Sequence, residues 1–160
     1  AGVVLFIIKR AARQHYHRLF SEGAIDREYL AVGYLVDNPY RKQWLVESGI
    51  EKGYPWYRRQ IVEGTANAIT DIELLDVCKR SGLFRIRPKT GKKHQIRLHM
   101  VSIGFPIVGD ASYPNITEKQ KGDPPLQLLA KRLAFTDPLS GKSLSFNSTR
   151  RLLWEGNARS

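Results

Sequence analysis

The hydrophobic pattern changes period several times along the chain. Val3 to Ile8 are six consecutive apolar residues rich in β-branched side chains, the pattern of a strand buried on both faces. From Ala11 to Phe20 the period lengthens. Ala12, Tyr16, Leu19 and Phe20 share one helical face and Gly23 supplies a stop. Arg27 to Val36 alternates as a strand does, with Tyr29, Ala31 and Gly33 on one side and Leu30, Val32 and Tyr34 on the other. The stretch from Asp37 to Thr65 is rich in turn signals, among them Asn38-Pro39, Lys52-Gly53 and Tyr54-Pro55. It predicts short strands between turns, with Trp44, Trp56 and Tyr57 read as core. Ala68 to Val77 and Leu83 to Arg87 predict a strand pair joined through Lys79-Arg80-Ser81-Gly82. His94 to Ile103 predicts a second helix, with Ile96, Met100 and Ile103 on one face and Gly104 ending it. Leu128 to Phe135 and Ser143 to Phe146 predict two more strands around the turn Thr136 to Gly141. Many strands and two helices make the fold class α+β: a largely antiparallel mixed β-sheet flanked by a few helices.

Length adds that the 160 residues suit one domain. Charge adds a partner. Twenty-six Lys and Arg against 15 Asp and Glu leave a formal net charge of +11, a field that attracts polyanions, of which nucleic acid is the commonest in a cytoplasm. A longest apolar run of six residues is too short to cross a membrane as a helix, and no lysine-rich amphipathic helix points to a membrane surface. No basic segment precedes that run, and Lys9-Arg10 follow it, unlike a secretory signal. The single Cys78 excludes an internal disulfide framework. The expected location is the cytoplasm.

Several chemical motifs fail on spacing. Gly141-Lys142-Ser143 lacks the earlier glycine of a phosphate-binding loop, since Thr136 stands there. His94 and His99 lie five residues apart, on different helical faces, and Cys78 has no cysteine partner, so no metal site is expected. Phe84 to His99 is different. It holds six Lys and Arg, two His and no acid in sixteen residues. Its break between strand and helix at Thr90-Gly91 offers backbone N–H groups beside Lys92 and Lys93, a place for a phosphate.

The run Arg87-Pro88-Lys89-Thr90-Gly91-Lys92-Lys93-His94-Gln95-Ile96-Arg97-Leu98-His99, continuing to Gly104-Phe105-Pro106-Ile107-Val108-Gly109-Asp110, resembles the signature of the RluA-type pseudouridine synthases. Arg27-Glu28-Tyr29-Leu30-Ala31-Val32 resembles the family's K-x-Y-x-A-x-V block. Leu128 to Pro138 with Gly141 resembles its L-H-A-x-x-L-x-F-x-H-P-x-x-G block. The resemblance implies a pseudouridine synthase catalytic domain: an isomerase that converts chosen uridines of ribosomal or transfer RNA to pseudouridine by base flipping, glycosidic cleavage and reattachment through C5, with no cofactor. It implies Tyr29 as the tyrosine that stacks on the flipped base, with Ala31 and Gly33 leaving room beside it. It implies Arg97 as the arginine that pairs with the catalytic aspartate. Ile96 and Leu128 become candidates for the apolar wall of the uracil pocket or for plain core. His94 and Gln95 are further substrate-binding candidates, and Arg85, Arg87, Lys89, Lys92 and Lys93 form a basic strip along the RNA backbone.

The chain departs from the family in three places. The aspartate belongs to an R-L-D-x-x-T-[SA]-G block of which Ala1-Gly2 match only the end, so it is expected about four residues before Ala1, in an N-terminal part of the domain outside this sequence. The 160-residue polypeptide alone is then expected to bind RNA without turnover. Lys92-Lys93 replace Arg-Thr, and Leu129 replaces a histidine. The alternative is a non-catalytic RNA-binding module built on the same fold.

Overall fold

The structure is a computed structural model that describes residues 1–35 and 39–156; Val36, Asp37 and Asn38, which close the expected first alternating strand and open the turn-rich stretch, lie outside the described residues. A 3₁₀ turn, Arg10–Ala12, leads into α1, Arg13–Ser21. The strands follow as β1 Asp26–Tyr34, β2 Gln43–Lys52, β3 Arg59–Val62, β4 Ala68–Cys78 and β5 Ser81–Pro88. After α2, Gln95–Ser102, come β6 Leu128–Thr136 and β7 Ser143–Asn147. The strands form one sheet in the order β3-β2-β4-β5-β1-β6-β7, each neighbouring pair antiparallel. A parallel bridge between Gly2 and Ala130 makes it mixed. The α+β expectation holds.

Strand alternation sends Tyr29, Ala31, Phe84, Ile86, Ile72 and Leu74 to one face, where Ile96 and Met100 of α2 pack on them. On the same face Tyr16 and Leu19 of α1 cover Ile25, Leu133 and Phe135. Burying the side chains that meet α2 stabilises the sheet by about 1.5–3 kcal/mol for each large one. Phe84, Ile86 and Met100 are wholly enclosed. Gly104, at φ +87°, ends α2: the chain must enter the left-handed region there, which a Cβ disfavours. Two helices on one face leave a trough between them.

Three expectations are corrected. Val3 to Ile8 is not a strand buried on both faces. Only Val3 and Leu5 reach the core beside Ile25, while Val4, Phe6 and Ile8 are exposed. The segment is anchored to β6 by the Val3 N–H to Ala130 O and Ala130 N–H to Ala1 O bonds, and its other side has no described layer over it. The β4–β5 connection is tighter than expected. Lys79-Arg80 turn the chain with Lys79 at φ 55°, and the irregularity falls inside β4, between Leu74 and Asp76. In the turn-rich stretch β2 is a ten-residue strand shared between β4 and β3. Its Trp44 packs on Phe105 at 5.3 Å between ring centroids, as a core residue should, but Trp56 is 81% exposed. No described helix is long and apolar enough to cross a membrane.

Candidate active site

The trough between the helices is a cleft of about 830 Å³. Its floor is Arg27 and Tyr29 of β1 with Leu128 of β6. One wall is Phe20 and its neighbours at the end of α1; the other is the turn from Pro88 into α2, down to Ile96 and Arg97. Tyr29, Leu128, His94, Gln95, Ile96, Arg97, Lys89 and Lys92, spread over a hundred positions of sequence, therefore meet in one place.

Gln95 holds the turn in shape. Its Oε1 accepts from the Thr90 hydroxyl at 2.8 Å and from the Lys92 backbone N–H at 2.9 Å. Its Nε2 donates to Ile69 O at 3.0 Å and to the Thr70 hydroxyl at 2.9 Å. With its amide committed to the scaffold and the residue 3% exposed, Gln95 serves the loop from behind. The helix starts at Gln95 and the Lys92 N–H is already bonded, which corrects the expectation that this N–H awaits a phosphate. The network continues inward: Thr70 Oγ1 lies 2.8 Å from Nδ1 of His99, and His99 Nε2 lies 2.9 Å from Ser48 Oγ. Burial pushes the fully enclosed His99 down to a pKa of about 4, so it is a neutral hydrogen-bond bridge at neutral pH.

His94 adopts φ 60° at the helix start, an uncommon conformation for a residue with a Cβ. The ring is tied to the Tyr113 hydroxyl at 2.9 Å. Burial first, then the positive charges of Arg97, Lys93 and Arg59, lowers its pKa against a smaller opposing pull from Asp110.

Arg97 is held by a carboxylate inside the chain. Its Nε reaches Asp110 Oδ2 at 2.7 Å and its Nη2 reaches Oδ1 at 2.5 Å. Asp110 is almost wholly enclosed, its side chain 1% exposed, and Oδ1 also accepts from the Ser112 and Tyr113 N–H groups. The Tyr113 ring lies 4.8 Å from the Arg97 guanidinium carbon. The arginine is thus gripped along one edge and one face, with its Nη1 edge left over.

Tyr29 is half-buried on the floor. Ala31 and Gly33 do not leave room beside it: Ala31 is fully buried, and a Cβ on Gly33 would fall 2.9 Å from Phe105 O and 3.1 Å from Met100 Cε. The small residues admit the helix and the chain that follows it, not a base. Ile96 and Leu128 line the cleft and also pack on the core, so the two readings of them are compatible.

The basic strip divides. Arg85 and Arg87 alternate to the sheet face opposite Phe84 and Ile86, away from the cleft. There Arg87 Nη2 pairs with Glu28 at 2.8 Å and Arg85 Nη1 with Glu73 at 2.9 Å. The acids that the sequence run lacks come from neighbouring strands, which corrects the picture of one continuous track. Lys89 reaches Asp71 at 3.3 Å. Lys92 lines the cleft, and Lys93 stands 6.0 Å over the exposed Trp56 ring. Sequence reasoning missed Asp110, Tyr113 and Arg27 as parts of the site. Asp110 closes the signature run, but only the fold brings it to Arg97. Among the described residues no cluster of three His, Cys, Asp or Glu could hold a metal ion.

The chain is similar to known proteins in both sequence and fold. The RNA pseudouridylate synthase family model matches residues 1–102. A dual-specificity RNA pseudouridine synthase RluA of Haemophilus influenzae is 32% identical over 151 residues, covering 92% of this chain and 68% of that protein. Its namesake in Escherichia coli is 29% identical with the same coverage. In structure, human RNA pseudouridylate synthase domain containing 1 matches at a TM-score of 0.75 with 19% identity, over 96% of this chain and 68% of that one. Human RNA pseudouridylate synthase domain containing 4 matches at 0.64 with 22% identity, over 88% and 64%; these two likenesses establish the fold. The names of the relatives support the catalytic reading over a non-catalytic RNA-binding module. The chain belongs to the RluA-type RNA pseudouridine synthases, a family of isomerases.

Proposed function

We propose that the cleft receives a uridine flipped out of ribosomal or transfer RNA in the cytoplasm and serves its isomerisation to pseudouridine. Tyr29 stacks on the uracil, Ile96 and Leu128 form the apolar wall, and His94 sits at the rim. Lys89, Lys92 and Lys93 meet the RNA backbone. The bond from N1 to C1′ breaks, the base turns, a bond from C5 to C1′ forms, the C5 proton leaves and N1 gains one. Arg97 offers its Nη1 edge to the carboxylate that assists at C1′. That carboxylate belongs to an aspartate in a segment upstream of Ala1. What supports this placement is the course of the chain at Ala1, whose backbone nitrogen lies 3.3 Å from Leu128 O beside the cleft. The single observation that carries the reading is the meeting of Tyr29, Leu128, Ile96 and Arg97 in one cleft.

The test is release of tritium from RNA labelled at uracil C5. A polypeptide extended upstream through the aspartate block is expected to release it, and the 160-residue chain to bind the RNA without release. An extended polypeptide that binds and releases nothing refutes the reading.

A further inference from the structure

Arg27 lies on the floor of the cleft, two residues from Tyr29 on the same face of β1, and is only 8% exposed. A buried arginine ordinarily has a carboxylate, because leaving a charge unpaired in a poorly solvated place is costly. Among the described residues no carboxylate forms an ion pair with Arg27. Its Nη2 donates to Pro88 O at 3.2 Å, its Nε is buried and meets no acceptor, and its guanidinium carbon lies 6.0 Å from the centre of the Phe20 ring. Glu28, the acid beside it in sequence, points through the sheet to Arg85 and Arg87. Gly91 lies against the remaining nitrogen, and a Cβ there would crowd Nη1 at 3.1 Å.

We propose that Arg27 is the centre of an anion subsite that takes one backbone phosphate of the RNA next to the nucleotide held at Tyr29. Residues two apart on a strand are about 7 Å apart, which suits a base on one and the adjoining phosphate on the other. A guanidinium with donor capacity left over and no carboxylate partner binds phosphate by charge-assisted hydrogen bonds, and Lys92 in the same cleft adds charge. The subsite rests on the cleft being an RNA site, and its test separates the two ideas.

Binding of a fluorescein-labelled uridine-rich RNA stem-loop is measured against salt concentration, with thermal unfolding of each protein alongside. For Arg27→Met, affinity is expected to fall about tenfold or more. The slope of log affinity against log salt should shrink by about 0.7–0.9, the signature of one fewer phosphate neutralised by the protein. The melting temperature should hold or rise, because the variant removes an uncompensated charge. Arg27→Lys should keep the slope and lose part of the affinity, and it stands in for Arg27→Met if that variant does not fold. A lowered melting temperature with an unchanged slope makes Arg27 a structural residue and overturns the subsite, as does unchanged affinity in Arg27→Lys. If in an upstream-extended polypeptide Arg27→Met loses stability but not slope, its anion is a protein carboxylate and the subsite is again overturned. Wild-type protein that binds no RNA refutes the function proposed for the cleft.

Discussion

Removing Asp110 tests how the site holds Arg97. The carboxylate is 1% exposed and the arginine side chain 16% exposed, so Asp110→Ala leaves a nearly enclosed guanidinium without its counter-charge. Breaking one side of such a pair costs about 3–5 kcal/mol. The Ser112 and Tyr113 N–H groups lose their acceptor as well, which places the expected loss toward the upper end. Asp110→Asn keeps an oxygen for those amides and gives up the charge, and should cost about 2 kcal/mol. In urea unfolding at pH 7, with a slope near 2 kcal/mol per molar, the alanine variant should shift its midpoint down by roughly 2 M at unchanged slope. Arg97→Met combined with Asp110→Leu should be at least about 2 kcal/mol more stable than the sum of the single losses predicts, because neither buried charge is then stranded. An alanine variant within about 1 kcal/mol of wild type, or single effects that add within about 0.5 kcal/mol, would show that the fork is not a buried pair and that Arg97 is positioned by something else.

Three further outcomes follow from the same geometry. His99 has a folded pKa pushed down to about 4 against about 6.5 unfolded. The unfolded chain therefore binds the extra proton between those values, and stability present above pH 6.5 is lost as pH falls toward 4, by up to about 3 kcal/mol; a urea midpoint that drops as much in His99→Gln as in wild type would contradict this. Gln95→Ala takes the acceptor from the Lys92 N–H and removes the bonds that hold the turn, so it should cost about 2 kcal/mol, and the Lys92 amide, measured by hydrogen exchange, should lose its protection. Arg85→Ala and Arg87→Ala should leave the salt slope of RNA binding unchanged because both are paired with acids on the far face, whereas Lys92→Ala should reduce it by about 0.7–0.9; equal slopes for all three would restore a single basic track.

How much of this was legible in the sequence depends on the range of the signal. Local period found both helices, with α2 starting one residue after the expected His94 and ending at the expected glycine, and alternation found β1, β4, β5 and β6. Apolar content misled at Val3 to Ile8, because six apolar residues announce burial without saying how many layers will cover them. Alternation also gave the right face to Tyr29 and a wrong reason for Gly33: smallness at a position says that something comes close, and here it is Phe105 O. The stretch around Trp56 was opaque because an aromatic side chain at the tip of a hairpin and one in a core look the same in a string of letters. The family motifs converged on one cleft because each sits on an element that borders the trough. Arg97 and Asp110 are thirteen residues apart, on a helix and the loop beyond it, and no periodicity links them.

The division of charge between the two sheet faces follows from the two-residue repeat of a strand. In the Arg27-Glu28-Tyr29 triplet the outer two residues reach the cleft and the middle one does not. The β1–β6 pairing slips between Glu28 and Tyr29, with the extra residue, Lys131, on β6, so β1 keeps its alternation intact. Glu28 is thereby carried to the face where Arg85 and Arg87 wait, Glu73 follows it there, and Asp71 takes Lys89. Glu28 and Glu73 neutralise cations on that side that would otherwise repel one another, and holding these two acids there leaves the cleft more positive, whereas Asp71 draws on Lys89, which lines the cleft. Moving one residue of register would reverse the arrangement: Glu28 would stand in the cleft and Arg27 would join the paired arginines outside. A net charge of +11 would attract RNA to either molecule. Only the native register leaves Arg27 on the cleft floor without an ion-pair partner among the described residues, at the place proposed for a phosphate.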